Sequence, residues 1–146
     1  MKYNIIDSRA VIAPSNTTFY AIHTETNNGH KYIPELYNKG VRSFVIDEEV
    51  PFLSDKQETT VIRVKNVLEE LQKEAQAKRQ SMKETVYLGI IGSRGKTIVK
   101  EWLHSLLPSS DRSPRSFNSQ IGVPLSILDI DEKCKYAIIE AGVSKR

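Results

Sequence analysis

Thr85-Val86-Tyr87-Leu88-Gly89-Ile90-Ile91-Gly92-Ser93-Arg94-Gly95-Lys96-Thr97-Ile98-Val99-Lys100-Glu101-Trp102-Leu103 is the stretch from which the fold can be read. Residues 85–91 are almost continuously apolar, which predicts a strand buried on both faces of a parallel sheet. Gly92 and Gly95 then allow the backbone to turn so that successive N–H groups face a phosphate. The helix predicted over 96–107 adds the positive end of its dipole. Lys96 brings a full charge to the outer phosphates of a nucleotide, and Thr97 a hydroxyl suited to a magnesium ion. The expected nucleotide is ATP with Mg²⁺, held by Gly92, Ser93, Arg94, Gly95, Lys96 and Thr97, with Lys96 also catalytic. The loop is shorter than the usual phosphate-binding pattern, because Ile90 stands where that pattern has its first glycine.

Downstream of this element, 109–116 reads as a loop, 124–128 as a short helix and 136–141 as a second buried strand. That strand ends on Glu140, at the carboxyl edge where open α/β sheets bind ligands. A carboxylate there is a hard oxygen ligand of the kind Mg²⁺ prefers, so Thr97 and Glu140 are the predicted metal pair, and Glu140 joins Lys96 as a predicted catalytic residue. Trp102, central in its helix, is expected to pack in the core.

Upstream, a helix over 31–38 closes at Gly40 and leads into a strand over 41–46. A β-branched strand follows over 60–64, and Asn66 can cap a helix beginning at Val67 whose apolar face carries Leu68, Leu71 and Ala75. The apolar stripe fades after Ala77, which places a domain boundary at 81–84 and divides the chain into 1–82 and 83–146. Strands alternating with helices give an α/β class with mainly parallel sheets.

Composition sets outer limits. The chain has 146 residues, 39% hydrophobic and 27% charged, enough apolar side chain for a globular fold. Its formal charge is +3 and dispersed, which argues against nucleic-acid binding. Cys134 is the single cysteine, so no internal disulfide forms and the reducing cytoplasm is the expected compartment. No apolar run has signal-peptide or membrane-spanning length. His23, His30 and His104 show no metal spacing with Cys134 and are assigned no catalytic role.

The run from Gly89 to Thr97 resembles the ATP loop of the Mur ligases, which use the shortened form, although Arg94 stands where many members have Asn. The continuation Ile98-Val99-Lys100-Glu101-Trp102-Leu103 and the segment Ser113-Pro114-Arg115-Ser116-Phe117-Asn118-Ser119-Gln120-Ile121-Gly122-Val123-Pro124-Leu125-Ser126 are similar to the branch that adds D-alanyl-D-alanine, particularly the form fused to an alanine racemase. Asp7-Ser8-Arg9 and Asn28-Gly29-His30-Lys31-Tyr32-Ile33 resemble that family's UDP-sugar-binding domain, with a strand expected over 19–22.

The resemblance implies an ATP-dependent amide ligase with UDP-N-acetylmuramoyl-tripeptide and D-alanyl-D-alanine as its partners, monomeric and away from membranes. It implies that Ser8 and Arg9 hold the uridine diphosphate, that Asn118 and Gln120 lie near nucleotide and substrate phosphates, and that Glu140 and Thr97 hold Mg²⁺. It also implies a UDP-substrate domain clipped at its start and a central domain lacking its carbamylated lysine, with the chain ending at Val143-Ser144-Lys145-Arg146 before the C-terminal domain. Such a chain is expected to be inactive alone. Three alternatives stay open: another phosphate-loop enzyme such as a small kinase, a nucleotide-binding remnant without catalysis, and a ligase of folate or amino-acid polymers.

Overall fold

The computed structural model describes residues 3–114 and 116–142. Arg115 and 143–146, where parts of the family resemblance fall, lie outside the described residues. The fold is α/β with two parallel sheets, in two compact units whose division in sequence falls between Leu71 and Gln72.

The first unit is built on β1 (Tyr3–Ile5), β2 (Thr17–Tyr20), β3 (Ser43–Ile46) and β4 (Thr60–Arg63), hydrogen-bonded in that order and all parallel. β2 and β3 hold the interior positions and are almost wholly buried, whereas β4 is an exposed edge. Phe19, Ala21, Phe44 and Ile46 pack against Ile33 and Leu36 of α1 (Ile33–Asn38). Pro34 sits in the first turn of α1, and residues 29–32 form a 3-10 turn instead of continuing the helix backwards, so the helix starts later than its apolar pattern predicts. Asn28 caps that turn by accepting a hydrogen bond from the His30 amide at 2.9 Å. Gly29 is obligatory: a Cβ there would lie 2.9 Å from the backbone of Ala21 and Ile22.

Helix α2 (Val67–Ser81) contains the division between the units. Its N-terminus is capped as expected, with Glu69 N donating to Asn66 Oδ1 at 3.0 Å. The second sheet runs β5 (Val86–Ile90), β7 (Tyr136–Glu140), β6 (Ser110–Arg112), again parallel. Three sequence expectations need correction here. β5 is an edge strand, not one buried on both faces, and Val86 is 49% exposed; the covered central place goes to β7. The stretch expected to be loop holds β6, which pairs Ser110, Asp111 and Arg112 with Tyr136, Ala137 and Ile138. Its polar side chains suit an edge and carry no β-branched signal. Trp102 is 66% exposed on α3 (Lys96–Leu106), in one stripe with Ile98 and Leu106 that nothing among the described residues covers.

Helix α4 (Gly122–Asp129) packs Val123 and Ile127 over Ala137, Ile139 and Cys134. Cys134 is buried, and burial pushes its thiol above the usual range, which keeps it a small unreactive hydrophobe. Among the described residues no helix is long and apolar enough to cross a membrane.

Candidate nucleotide and metal site

The edge order of the second sheet places the carboxyl ends of β5 and β7 side by side, with Ile90 paired to Glu140. The chain leaves β5 through Gly92, Ser93, Arg94 and Gly95, all exposed, and enters α3. Gly95 is the helix N-cap at φ +78°, a left-handed conformation that side-chain-bearing residues adopt only with strain. Val99 N to Gly95 O, at 3.0 Å, is a first-turn bond of α3, and the amides before it are those a helix start leaves for an anion. Lys96 folds back on this loop, its Nζ donating to Gly92 O at 2.7 Å.

In the first turn of the helix, Thr97 Oγ1 donates to Glu140 Oε2 at 2.9 Å. Asn118 Nδ2 donates to Oε1 of the same carboxylate, also at 2.9 Å. Lys100 Nζ lies 3.8 Å from Glu140 Oε2 and 3.7 Å from Glu101 Oε1. Lys100 and Glu140 are 0% and 2% exposed, so a buried carboxylate is held by a buried ammonium, a hydroxyl and an amide. Such a pair persists in the interior only when further hydrogen bonds occupy its remaining positions. Ser113 Oγ accepts from Glu140 N at 3.1 Å, which fixes the strand end that carries the carboxylate. Gly142 N donates to Asn118 O at 2.7 Å, and a Cβ on Gly142 would approach that oxygen to 2.8 Å.

The donor set fits a magnesium ion. Adjacent oxygens around an octahedral Mg²⁺ with bonds of about 2.1 Å stand about 3 Å apart. The spacing of Thr97 Oγ1 and Glu140 Oε2 meets that condition.

Four of the predicted residues, Lys96, Thr97, Asn118 and Glu140, thus gather at one end of the second sheet. Gln120 lies beside them, lining a cavity of about 440 Å³ with Gln72, Arg79, Asn118, Val123 and Gly142. Lys100 and Ser113 received no role from sequence. The signal for Lys100 was its spacing of three from Thr97, one helical face; for Ser113 no local signal exists.

Ser8 and Arg9 lie in the first unit. Ser8 is buried, and Lys39 Nζ donates to its carbonyl at 3.1 Å. The Arg9 guanidinium is exposed and forks onto Asp7, Nε to Oδ1 at 2.9 Å and Nη2 to Oδ2 at 2.7 Å. Those hydrogen bonds hold the Asp7 carboxyl down at about 2.

No protein-family model matches the chain. Over 131 residues, 88% of its length, it is 31% identical to the UDP-N-acetylmuramoyl-tripeptide--D-alanyl-D-alanine ligase of Bacillus subtilis. The chain is a homologue of these ligases. It spans 28% of that relative's length. Its fold is that of solved ligase structures: a UDP-N-acetylmuramoylalanyl-D-glutamyl-2,6-diaminopimelate--D-alanyl-D-alanyl ligase from Acinetobacter baumannii superposes over 99% of this chain and 31% of its own, at a TM-score of 0.84 and 22% identity. The MurF ligase of Thermotoga maritima, solved in complex with ADP, superposes over 99% of this chain and 33% of its own, at 0.78 and 24% identity.

Proposed function

We propose that this ligase homologue supplies the nucleotide-binding end of an ATP-dependent amide ligase that joins D-alanyl-D-alanine to UDP-N-acetylmuramoyl-tripeptide in the cytoplasm, acting as a monomer. Residues 1–82 serve as the UDP-substrate domain and 83–146 as the beginning of the central ATP-binding domain. The segment 113–126 extends the reading to the racemase-fused form.

The observation that carries this reading is the Thr97–Glu140 pair at the start of α3, beside an exposed glycine loop and Lys96. Lys96 swings from the Gly92 carbonyl to the outer phosphates, where its charge opposes the negative charge on the transferring phosphoryl group. Thr97 and Glu140 hold Mg²⁺, which when bound neutralises phosphate charge. Asn118 and Lys100 keep the Glu140 carboxylate aimed at the helix start. Ser8 and Arg9 contact the uridine diphosphate, and Gln120 the substrate phosphates.

Amide formation is expected only when the remaining roughly 70% of the relatives' length is supplied, in the same chain or in trans, because closure and the second substrate site assemble the reacting geometry. Nucleotide binding needs less. Titration with a fluorescent ATP analogue in Mg²⁺ tests it: Lys96→Ala should weaken binding at least tenfold, and equal affinity of the two proteins would sink the reading.

A further inference from the structure

A second site lies in the first unit, where β3 ends. His30 Nδ1 is 2.7 Å from Asn28 Oδ1. Asn28 is oriented by its own amide, which donates to Glu48 Oε2 at 3.0 Å, so its oxygen can only accept and Nδ1 of His30 carries the proton. The lone pair of the neutral ring is therefore on Nε2, which faces Asp47 Oδ1 at 3.3 Å. Two acceptors meet there. Asp47 cannot turn away, because its Oδ2 accepts from Val67 N at 3.0 Å at the start of α2. Among the described residues, the buried Asp47 Oδ1 has no hydrogen-bond partner, and the donor to Nε2 is Asp47 N at a long 3.3 Å. A buried acceptor without a donor is uncommon, and Asp47 Oδ1 calls for a further donor or a cation.

We propose that His30 Nε2, Asp47 Oδ1 and a Glu48 carboxylate oxygen form a binding site for a divalent cation of the zinc class. Ligand atoms around a tetrahedral ion with bonds of about 2.0 Å are about 3.3 Å apart, which is the separation of Nε2 and Oδ1. The ligand atoms of all three residues lie within 4.8 Å of one another, and Glu48, held by Asn28 Nδ2 at 3.0 Å and facing His23 Nδ1 at 2.8 Å, is exposed and gives the site an entry path from solvent. A mixed nitrogen and carboxylate set suits zinc better than magnesium or calcium. The Asn28 contact to Nδ1 is the outer support that ligating histidines receive, fixing tautomer and ring orientation. The ion would tie β3 to the first turn of α2 through Asp47, a structural role separate from the nucleotide site.

Zinc competed from a chromophoric chelator tests the site in the whole chain. One equivalent should bind, and Glu48→Gln, at an exposed position that leaves the fold intact, should weaken it tenfold or more. In a long-range proton–nitrogen spectrum, Nε2 of His30 should shift on zinc addition. Less than one equivalent, a loss under tenfold in Glu48→Gln, as uptake at His104 or Cys134 would give, or an unmoved Nε2 overturns the proposal. A protonated His30 paired with Asp47 and no zinc uptake overturns it equally.

Discussion

Thr97 and Glu140, 43 residues apart in sequence, are joined by a 2.9 Å hydrogen bond from the hydroxyl to the carboxylate. The bond links the first turn of α3 to the end of the central strand β7, so the helix that presents the phosphate loop is registered on the sheet by the same carboxylate proposed to hold the metal. Glu140 also neighbours the fully buried Lys100. Replacing it by alanine removes the carboxylate from a buried cation and deprives Thr97 and Asn118 of their acceptor. Glu140→Ala should cost about 3 kcal/mol or more in urea unfolding, and adding Lys100→Met should restore a large part of it. A single variant as stable as the parent would show that the network does not support the fold.

The glycines around the site should separate stability from binding. A Cβ on Gly142 would press on Asn118 O at 2.8 Å, so Gly142→Ala should lower stability by about 1–3 kcal/mol. Around Gly92 the nearest atom to a Cβ is 3.7 Å away, so Gly92→Ala should unfold at nearly the parental urea concentration. Yet a methyl on the loop would stand where the proposed phosphate site needs the bare backbone, and MgATP affinity should fall. Equal melting with unchanged affinity would remove Gly92 from the nucleotide site.

Sequence was most informative where one short segment carries its own geometry. The strand, glycine turn and helix around Gly92–Lys96 were legible because strand pattern, φ-permissive residues and helix periodicity follow one another without a gap. Glu140 was legible from its place at a strand end. What failed depended on neighbours. β6 has no intrinsic strand preference and exists because β7 offers it hydrogen bonds. The exposure of β5 and Trp102 follows from which elements lie beside them, a property absent from local pattern. His30, Asp47 and Glu48 come together because the capped turn at Asn28 and the end of β3 converge, and their sequence spacing matches no metal motif.

The Asp7–Arg9 fork gives a pH prediction. The folded Asp7 carboxyl titrates at about 2 against an ordinary 3.8, the cause being first the Arg9 side-chain hydrogen bonds. A depressed folded value means that the pair's contribution is complete above about 3.8 and disappears as pH falls through about 2. Because Arg9 is 86% exposed, solvent screening keeps the effect on global stability small. The carboxyl carbon of Asp7, followed by NMR, should therefore titrate near 2 in the parent and return toward 3.8 in Arg9→Ala. A midpoint near 3.8 in the parent would mean that Arg9 is not held by Asp7 in solution.

Trp102 offers a direct check on the surface of α3. It is the only tryptophan, 66% exposed, and it shares its helical face with Ile98 at 57% and Leu106 at 77%. A stripe this apolar normally faces a core, so its exposure creates a surface with a tendency to associate. At low concentration the indole should emit as a hydrated fluorophore and be quenched readily by acrylamide. Raising the concentration should shift the emission to the blue if copies of the chain bury the stripe against one another, and Trp102→Lys together with Ile98→Lys should keep the chain monomeric without lowering its unfolding free energy by more than about 1 kcal/mol. Blue emission resistant to quenching in the dilute monomer would contradict the placement of α3 described above.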